Sequence, residues 1–562
     1  MRHARCCAGF TMLEMLVVVL IVALLLVSAA AQAGPVLHVD DDAPPSGDGL
    51  SWNTAFRFLA DALTTASGGG ISEIRVGQGT YQPDRDETNP TGSCPPGPCD
   101  RAATFQLING VAVRGGYAGV GAPDPDARDI ALYETILSGD LIGNDGPNFI
   151  NNDENSYHVT SGGGTDGTAV LDGCTVTAGN ADGILQNGRG GGMYNVVGSP
   201  MVANCSFTGN FALRGAGILN MLSSPTVSNC TFSSNFAAFG GGMANLSGSN
   251  STITDCTFSG NTAGLGGGIY NEGSSPTVTD CAFSGNTTDG GGGMANAGSS
   301  NPTVTNCSFN ENSAAVRGGG MHNGGSSPTV ANCTFSGNTA AIDGGGMHNF
   351  NSSPAVTNCT FSCNTAPVGG GMFNEGSSPT VSNCILWGNT AASFGGPGTP
   401  SVTYSDIEGG FAGTGNINAD PMFVASGIGD YRLMPGSPCI DAADNTAVPK
   451  GITTDLDGNP RFVDDPDTPD TGNGDPPVVD MGAYEFQDTT VPADISGPLG
   501  VPDGCVDAFD LGTLLGAWCS SATDPDPPGD VDPPCEGCTS PNFNLADISG
   551  AAKVPDGCVD AF

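Results

Sequence analysis

The chain has 562 residues, with 88 glycines, 40 prolines and 20 cysteines, a length that allows more than one domain. Only 13% of the residues are charged, and 15 basic against 57 acidic side chains give a formal net charge of −42. Such a chain repels phosphate backbones, which excludes nucleic acid as an expected partner. Its acidic flanks, such as residues 464–470, are interpreted as solvated linkers, with calcium binding as the alternative.

Residues 1–33 are predicted to be an export signal. Arg2 and Arg5 precede an apolar run over residues 16–31. The run is short for a membrane span and has the length of the hydrophobic part of a signal peptide. The mature chain is therefore expected outside the cytoplasm, secreted or at the cell surface, where disulfides are permitted. Contact with a membrane is expected only through this segment, if it is retained.

Two processing routes remain open for this segment. The small residues Ala31 and Ala33 predict cleavage before Gly34 by the Sec route. Residues 9–14 instead resemble the type IV prepilin processing motif, which implies a mature start at Phe10 and a pilin-like inner-membrane anchor. A pilin continues as a long helix, whereas glycine and Pro35 end any helix here, so ordinary secretion is the favoured interpretation.

Residues 34–109 are predicted to form an N-terminal cap and the first coils of a repeat domain over residues 110–434. Apolar residues in the stretch 52–63 recur at helical spacing. A helix there would cover the end of a solenoid, whose strand edges would otherwise be left unpaired.

Cysteines recur at intervals of 25 or 26 residues through the repeat domain. Phenylalanine follows two residues after each cysteine, with Leu386 in the last copy, and asparagine follows after five. The cysteines are Cys205, Cys230, Cys256, Cys281, Cys307, Cys333, Cys359 and Cys384. A period this strict indicates a solenoid.

Each repeat contains three short extended pieces, GGGMxN, PTVx and CxF, separated by glycine, serine and asparagine turns. The pattern predicts an all-β fold in which each repeat is one coil of a right-handed parallel β-helix. Methionine, valine, cysteine and phenylalanine would then stack in interior columns about 4.8 Å apart. The cysteines are interpreted as reduced, buried thiols. The residues directly before them, such as Asn204, Asn229 and Asn306, are interpreted as a side-chain ladder at a turn, in which Asp255 and Asp280 replace asparagine.

The motif FSGN recurs at residues 258–261, 283–286 and 335–338, paired with GGGM or GGGI. These repeats, over residues 190–390, resemble those of chlamydial polymorphic outer-membrane proteins and of the wider right-handed β-helix proteins. The resemblance implies a surface-displayed adhesin. Members of that family end in an outer-membrane autotransporter barrel, which this sequence does not show, so the display route is not carried over.

Residues 435–488 are predicted to close the solenoid. The motifs GSPCIDAAD, DLDGNPR and VDMGAYEF are similar to the segment called the choice-of-anchor Q region. That region precedes various surface-attachment modules, so the resemblance implies a location at the cell surface and no catalysis.

Residues 489–562 contain an acidic motif twice, at 493–518 and again at 546–562, where the second copy stops at Phe562. The first copy resembles a dockerin calcium repeat, an EF-hand-like loop that opens a short helix. The resemblance implies calcium binding, with Gly504 at the turn, and a cohesin-like partner. The implied ligands are Asp494, Ser496, Asp503, the Cys505 carbonyl, Asp507 and Asp510. The alternative is an acidic tail stapled by disulfides.

Other candidate sites in the sequence favour plain structural roles. His322 and His348 hold equivalent positions in adjacent repeats, and they are expected in an outward, variable column with no ligand role. That column of tyrosine, histidine and phenylalanine would form a shallow binding face. Residues 455–459 look like a fragment of a calcium loop and are interpreted as a turn. No catalytic or cofactor-binding residue is assigned.

The sequence therefore predicts an exported β-helix scaffold for adhesion or binding, with a carbohydrate or surface-protein ligand and a calcium-dependent C-terminal attachment module. The alternative is a polysaccharide lyase or glycoside hydrolase on the same fold. A weaker alternative is a pilin-like appendage component, which depends on residues 9–14 alone. Enzymatic activity is left open, with a binding role favoured, because the charges of the repeats do not converge on one face.

Overall fold

In the computed structural model, which describes residues 34–94 and 99–487, the repeats wind into a parallel β-helix built from four sheets. Each strand pairs in parallel with its equivalent in the next coil, so that Phe258 lies between Phe232 and Phe283. Sheet 1 contains Val36–Val39, Glu73–Gly77, Ala112–Tyr117, Val170–Asp172, Met201–Ala203, Thr226–Ser228, Thr252–Thr254, Thr277–Thr279, Thr303–Thr305, Thr329–Ala331, Ala355–Thr357, Thr380–Ser382 and Ser401–Thr403.

The other three sheets follow sheet 1 around each coil. Sheet 2 contains Gly79–Tyr81, Thr135–Ser138, Thr175–Thr177, Ser206–Thr208, Thr231–Ser233, Thr257–Ser259, Ala282–Ser284, Ser308–Asn310, Thr334–Ser336, Thr360–Ser362, Ile385–Trp387 and Asp406–Ile407. Sheet 3 contains Asn180–Ala181, Phe211–Arg214, Phe236–Phe239, Thr262–Leu265, Thr287–Gly290, Ser313–Arg317 and Thr339–Ala340. Sheet 4 contains Phe105–Gln106, Thr160–Ser161, Met193–Val196, Ile218–Met221, Met243–Leu246, Ile269–Glu272, Met294–Ala297, Met321–Gly324, Met347–Phe350, Met372–Glu375 and Phe394–Gly395.

A helix covers the N-terminal end of the solenoid, as predicted, but it begins at Leu59, seven residues after the start of the predicted stretch 52–63. Helix α1 (Leu59–Ser67) buries the side chains of Leu59, Ala62, Leu63 and Ala66 in the main core. Burial of these side chains protects the first coil from solvent at the end of the stack. The remaining elements are 3₁₀ turns at Trp52–Thr54, Pro147–Phe149, Leu185–Gly188, Ser426–Ile428 and Asn445–Ala447, and an antiparallel pair, Phe423–Ala425 with Asp430–Leu433.

The interior columns predicted from the repeat are confirmed. The methionines of the GGGM motif, the valines of PTV and the phenylalanines of CxF have no exposed surface between residues 243 and 372. Successive phenylalanine rings from Phe207 to Phe361 lie 4.5 to 5.2 Å apart and within 7° of parallel. The strand spacing sets this stacking, because equivalent residues in parallel coils must lie directly above one another.

The repeat cysteines are free, buried thiols, as expected. Each points along the same interior column, and its sulfur contacts the carbonyl oxygen two residues earlier, as in the 3.2 Å contact between Cys307 Sγ and Thr305 O. A small apolar group with a weak donor suits this corner between sheets 1 and 2. Cys94 and Cys99, outside the repeats, form a disulfide.

Asparagine ladders run along the solenoid at two turns. The first ladder, which was not predicted, joins Asn210 to Asn389, with each side-chain amide donating to the Oδ1 atom of the next, for example Asn286 to Asn312 at 2.9 Å. A second ladder, from Asn195 to Asn374, uses the asparagine of GGGMxN. Both ladders are buried, so every amide needs its neighbour to satisfy its hydrogen bonds.

The turn before each repeat cysteine has a left-handed backbone. Asn229, Asp255, Asp280 and Asn306 all have φ between 50° and 54°. Asparagine and aspartate tolerate this conformation better than other non-glycine residues, which explains why the two types exchange at this position. The turn role predicted for this column is confirmed, and its side chains form ladder bonds, with Asn229 Nδ2 donating to Asn204 Oδ1 at 2.6 Å and Asn306 Nδ2 to Asp280 Oδ1 at 3.1 Å.

Sheet 3 is a difference from the sequence prediction, which placed three strands in each coil. Its strands follow the ladder asparagine and alternate exposed residues with small buried ones, chiefly alanine, as in Thr262 and Ala263. The alternation covers two to five residues per coil. Such a segment is too short and too weakly apolar to stand out from a turn in sequence.

The segment after the solenoid folds back over the outer face of sheet 2. Ala483 N donates to Thr360 Oγ1 at 3.1 Å, and Asn332 Nδ2 donates to the Thr454 carbonyl. A second apolar core forms there around Ile385. Its other buried members are Leu433, Cys439, Ile440, Ala442, Ala443, Val479 and Met481.

Candidate carbohydrate-binding groove

The loop from residue 139 to 159 interrupts the regular coils between sheet 2 and sheet 4. It takes the place of a sheet 3 strand in its coil and contains the 3₁₀ turn Pro147–Phe149. Asn148, Phe149 and Asn151 have φ values of 58°, 60° and 64°. A left-handed phenylalanine is uncommon because its Cβ crowds the following carbonyl, and such strain concentrates at functional sites.

This backbone brings Phe149 over two aromatic rings of sheet 3. Phe211 and Phe236, in adjacent coils, stack with their centroids 5.6 Å apart and within 7° of parallel. Phe149 meets both rings edge-on, at 5.9 Å and 6.3 Å. Phe236 keeps 43% of its surface exposed. The three rings form an aromatic platform that is open to solvent on one side.

Three carboxylates of the same loop gather beside the platform. One oxygen each from Asp140, Asp145 and Glu154 lie within 4.8 Å of one another. The carboxylate of Asp140 accepts hydrogen bonds from the backbone N–H groups of residues 143, 144 and 145, which fixes the loop around it. Asn155 Nδ2 donates to Asp145 Oδ2 at 2.7 Å. Glu154 Oε1 is buried and has no hydrogen-bond partner.

The crowding of these groups shifts their ionisation. Partial loss of water raises the pKa of Asp145 to about 6, and repulsion from Asp140 and Glu154 adds to this rise. The hydrogen bond from Asn155 acts in the opposite direction and lowers the pKa. Asp145 is exposed by area, yet the loop excludes water from one side of its carboxyl group. Desolvation also raises the pKa of Glu154. The groove therefore holds a carboxyl group that exchanges its proton at mildly acidic pH.

Phe149 of the platform and two of the carboxylates line one open groove with a volume of about 430 Å³, and Phe149 in turn contacts the stacked rings of Phe211 and Phe236. Its lining includes Asp140, Asp145 and Phe149, with Thr177 and Ser234 on the repeat side. Aromatic faces pack against the C–H faces of sugar rings, and carboxylates accept hydrogen bonds from hydroxyl groups. A groove with both features suits a carbohydrate chain laid across the coils.

A pH dependence of stability is expected from Asp145. Its folded pKa of about 6 lies above the unfolded value near 3.9, so the folded chain binds an extra proton between these values. The stability that this group contributes is complete below about pH 4 and is lost as the pH rises through about 6. The melting temperature of the wild type should therefore fall, relative to that of D145N, as the pH rises from about 4 to 7. A difference that stays constant with pH would contradict the shift.

The predicted calcium ligands of the tail, Asp494, Ser496, Asp503, Cys505, Asp507 and Asp510, lie outside the described residues. The turn at residues 455–459 is confirmed. Asp455 Oδ1 accepts hydrogen bonds from the backbone N–H groups of Asp457 and Asn459, and its Oδ2 accepts one from Glu485 N. These bonds complete a structural turn.

The expectation of an exposed histidine column was wrong. His348 is fully buried and His322 is half-buried, and their Nδ1 atoms lie 3.0 Å apart. His348 Nε2 also lies 3.3 Å from Asp343 Oδ1, which contacts Arg317. Burial lowers the pKa of His322 to about 4 and that of His348 to about 3, so both rings are neutral at pH 7.

The physical reason is that the ends of the sheet 3 strands cover the outer face of sheet 4. Phe239 and Leu265 pack against Leu219, Ala244 and Tyr270 of the same outward column, which leaves little of it exposed. The shallow binding face predicted there is therefore a minor core. Charged side chains of different coils also form ion pairs that the sequence analysis did not predict, as between Arg214 and Glu272 at 2.9 Å.

The groove residues were missed by the sequence reasoning. Two signals point to them in retrospect. The stretch DLIGNDGPNFINNDEN lengthens one coil with acidic and turn-forming residues, and phenylalanine stands six residues after the cysteine in two adjacent repeats, as Phe211 and Phe236. An irregular coil in an otherwise regular solenoid is where a binding loop is expected.

Comparison with known proteins supports the architecture. Residues 143–290 and 244–406 match the family described as right handed beta helix region. The chain contains a right-handed β-helix repeat. The β-helix sheets continue beyond the match, from Val36 to Ile407, in the described residues. The crystal structure of the Dettilon tailspike protein has 11% identity to this chain, over 66% of this chain and 68% of its own, with a TM-score of 0.30. No curated protein sequence matches this chain.

The N-terminal segment also matches a known motif. Residues 4–30 match the prokaryotic N-terminal methylation motif, which supports the prepilin-like alternative for processing and an extracytoplasmic destination. The segment lies outside the described residues. Within the part of the chain that is described, no helix has the length and apolar character needed to span a membrane.

Proposed function

We propose that this exported β-helix binds carbohydrate in the groove lined by Asp140, Asp145 and Phe149 and on the adjoining rings of Phe211 and Phe236. The observation that carries the proposal is the open aromatic platform beside hydrogen-bonding carboxylates, built on a strained loop. The rest of the protein serves as a rigid scaffold that presents the groove. Adhesion to a glycan-bearing surface, or to a surface protein, is the role that fits such a scaffold at the cell exterior.

The charge of the groove restricts the class of carbohydrate. Three close carboxylates and a formal net charge of −42 disfavour polyanionic sugars such as uronates. Neutral polysaccharides are not repelled by these carboxylates, and the protonated amine of an amino sugar is attracted to them. The proposed ligand is therefore a neutral or amino-sugar chain.

The decisive experiment measures binding of the full chain to neutral, amino-sugar and uronic-acid polysaccharides by affinity electrophoresis. F236A, which removes the most exposed ring of the platform, should weaken binding about tenfold, because one stacked ring contributes about 1 to 2 kcal/mol. F350A is the matched control, since Phe350 is 40% exposed and lies on sheet 4, whereas Phe236 on sheet 3 contacts Phe149 and Phe211. Equal binding by wild type, F236A and F350A would contradict the groove.

Glycoside hydrolysis in the same groove is a second candidate. The specific observation is that Asp145, with a pKa of about 6, has a carboxylate oxygen within 4.8 Å of oxygens of Asp140 and Glu154, and glycoside hydrolysis uses such a pair of carboxyl groups. Asp145 would donate the proton to the leaving oxygen while the Asp140 carboxylate attacks the anomeric carbon, and water would then release the bound sugar. New reducing ends, formed by the wild type and not by D145N, would establish hydrolysis, whereas binding without products would leave the scaffold role.

Attachment to a surface or assembly completes the proposal. The dockerin-like tail would bind calcium through Asp503, Asp507 and Asp510 and dock on a cohesin-like partner, and the closing segment would act as the region that precedes this module. The sequence motifs support this part. Calcium calorimetry on the full chain and on its D503N/D507N/D510N variant tests it, and equal heats would contradict calcium binding by the tail.

A further inference from the structure

A second cluster of carboxylates lies in the closing segment, far along the chain from the groove. Asp441, Asp464 and Asp470 each place one oxygen within 4.8 Å of the others. Asp464 and Asp470 are exposed at the two ends of an acidic loop, whereas Asp441 is fully buried beneath it. The cluster thus has a buried floor and an open mouth.

Asp441 is fixed in position by its own backbone. Its N–H donates to Asp480 Oδ1 at 2.8 Å, and its carbonyl accepts from the N–H groups of Thr471 and Gly472. Its side-chain Oδ2 accepts from Asp465 N at 3.2 Å, but Oδ1 is buried with no hydrogen-bond partner. A buried carboxylate oxygen without a partner is costly, so a missing partner for this atom is indicated.

No positive side chain offsets the charge of this cluster. Among the described residues, Asp441, Asp464 and Asp470 take part in no ion pair. The nearby Arg461 contacts Glu485 and donates to the carbonyl groups of Asp480 and Gly482 instead.

We propose that Asp441, Asp464 and Asp470 bind a calcium ion, with Asp441 Oδ1 as the buried ligand. The cluster offers carboxylate oxygens and neither histidine nor cysteine, which favours a hard cation over zinc. Calcium accepts six to eight oxygens in irregular geometry, with waters filling the open mouth, whereas magnesium requires a near-ideal octahedron. A site made from two exposed loop carboxylates and one buried carboxylate, in irregular backbone, suits calcium.

The ion would fasten the acidic loop to the closing segment. Asp441 follows Cys439 and Ile440 and precedes Ala442 and Ala443, all buried in the core that packs on Ile385 of sheet 2. An ion that joins Asp464 and Asp470 to this segment of buried residues would therefore hold the loop against the solenoid. The site is separate from the carbohydrate groove and does not depend on it.

Calcium titration of the full chain tests the site, in a D503N/D507N/D510N background that removes any contribution of the tail. One calcium ion should bind per chain, and binding should be lost in D464N/D470N. These two residues are exposed and lie outside the core, so this variant keeps its fold even if D441N does not. D467N is the matched control, an exposed carboxylate of the same loop outside the cluster, and it should bind as the background does.

Thermal unfolding gives an independent readout. Calcium should raise the melting temperature of the background protein and of D467N, and should leave that of D464N/D470N unchanged, since an ion that binds the folded state stabilises it. Equal calcium binding in D464N/D470N and the background would overturn the site. Equal stabilisation by magnesium at the same concentration would overturn the assignment to calcium.

Discussion

Replacing Phe309 with alanine is expected to lower the free energy of unfolding by about 3 to 5 kcal/mol. The ring has no exposed surface and is stacked 4.6 Å from Phe283 on one side and 4.6 Å from Phe335 on the other. It also packs on Gly293, where an added Cβ would lie 2.5 Å from the ring. Since the column is continuous, neither neighbour can move in to fill the cavity without leaving its own place.

Thermal and denaturant unfolding of F309A measure this loss, and hydrogen exchange locates it. Each coil of a solenoid contacts only its neighbours, so exchange should quicken most in Ala282–Ser284 and Thr334–Ser336, the flanking strands of sheet 2. F350A, at a 40% exposed position, should cost less than about 1 kcal/mol. Equal losses in F309A and F350A would show that the column does not carry the stability of the coil.

The interior of this molecule was predictable from sequence because the parallel coils repeat the same contact. Once the period of 25 or 26 residues fixes the register, every methionine, valine, cysteine and phenylalanine of the repeat must stack on its equivalent. The asparagine ladder follows for the same reason, since a buried amide finds its partner one coil away. The cap helix α1 was predicted from a different signal, its apolar spacing.

Contacts between different columns were not predictable in the same way. Whether His348 is exposed depends on how the ends of sheet 3 fold over sheet 4, which the period does not encode. The strands of sheet 3 are themselves too short to recognise. A side chain that points outward from one sheet was therefore assigned to solvent when a neighbouring strand covers it.

The groove and the second carboxylate cluster both lie outside the regular repeat. Asp140, Asp145 and Glu154 meet because the backbone turns left-handed at residues 148, 149 and 151, a path that no period specifies. Asp441 meets Asp464 and Asp470 through the fold of the closing segment. In both places the carboxylates converge through loop geometry, so their composition could be read from the sequence and their proximity could not.

Replacing Asn312 with alanine should lower the free energy of unfolding by about 3 to 5 kcal/mol, as much as F309A, although it deletes no large apolar group. Asn312 Oδ1 accepts from both N and Nδ2 of Asn286, and its Nδ2 donates to Asn338 Oδ1 and to the Phe283 carbonyl. All of these groups are buried. Alanine would leave the Asn286 N–H without its acceptor and would remove one donor each from Asn338 Oδ1 and the Phe283 carbonyl, where water cannot reach them.

Asn301 provides the matched control for this prediction. Its Oδ1 also accepts from the next coil, from Ser327 N at 2.6 Å, but the residue is exposed. In N301A water can replace the lost acceptor, so the unfolding free energy should change by no more than about 0.5 kcal/mol. Denaturant unfolding of the two variants would then separate the hydrogen bond from its burial. A small loss in N312A would mean that water enters the turn, and the ladder would then act on the register of the coils more than on their stability.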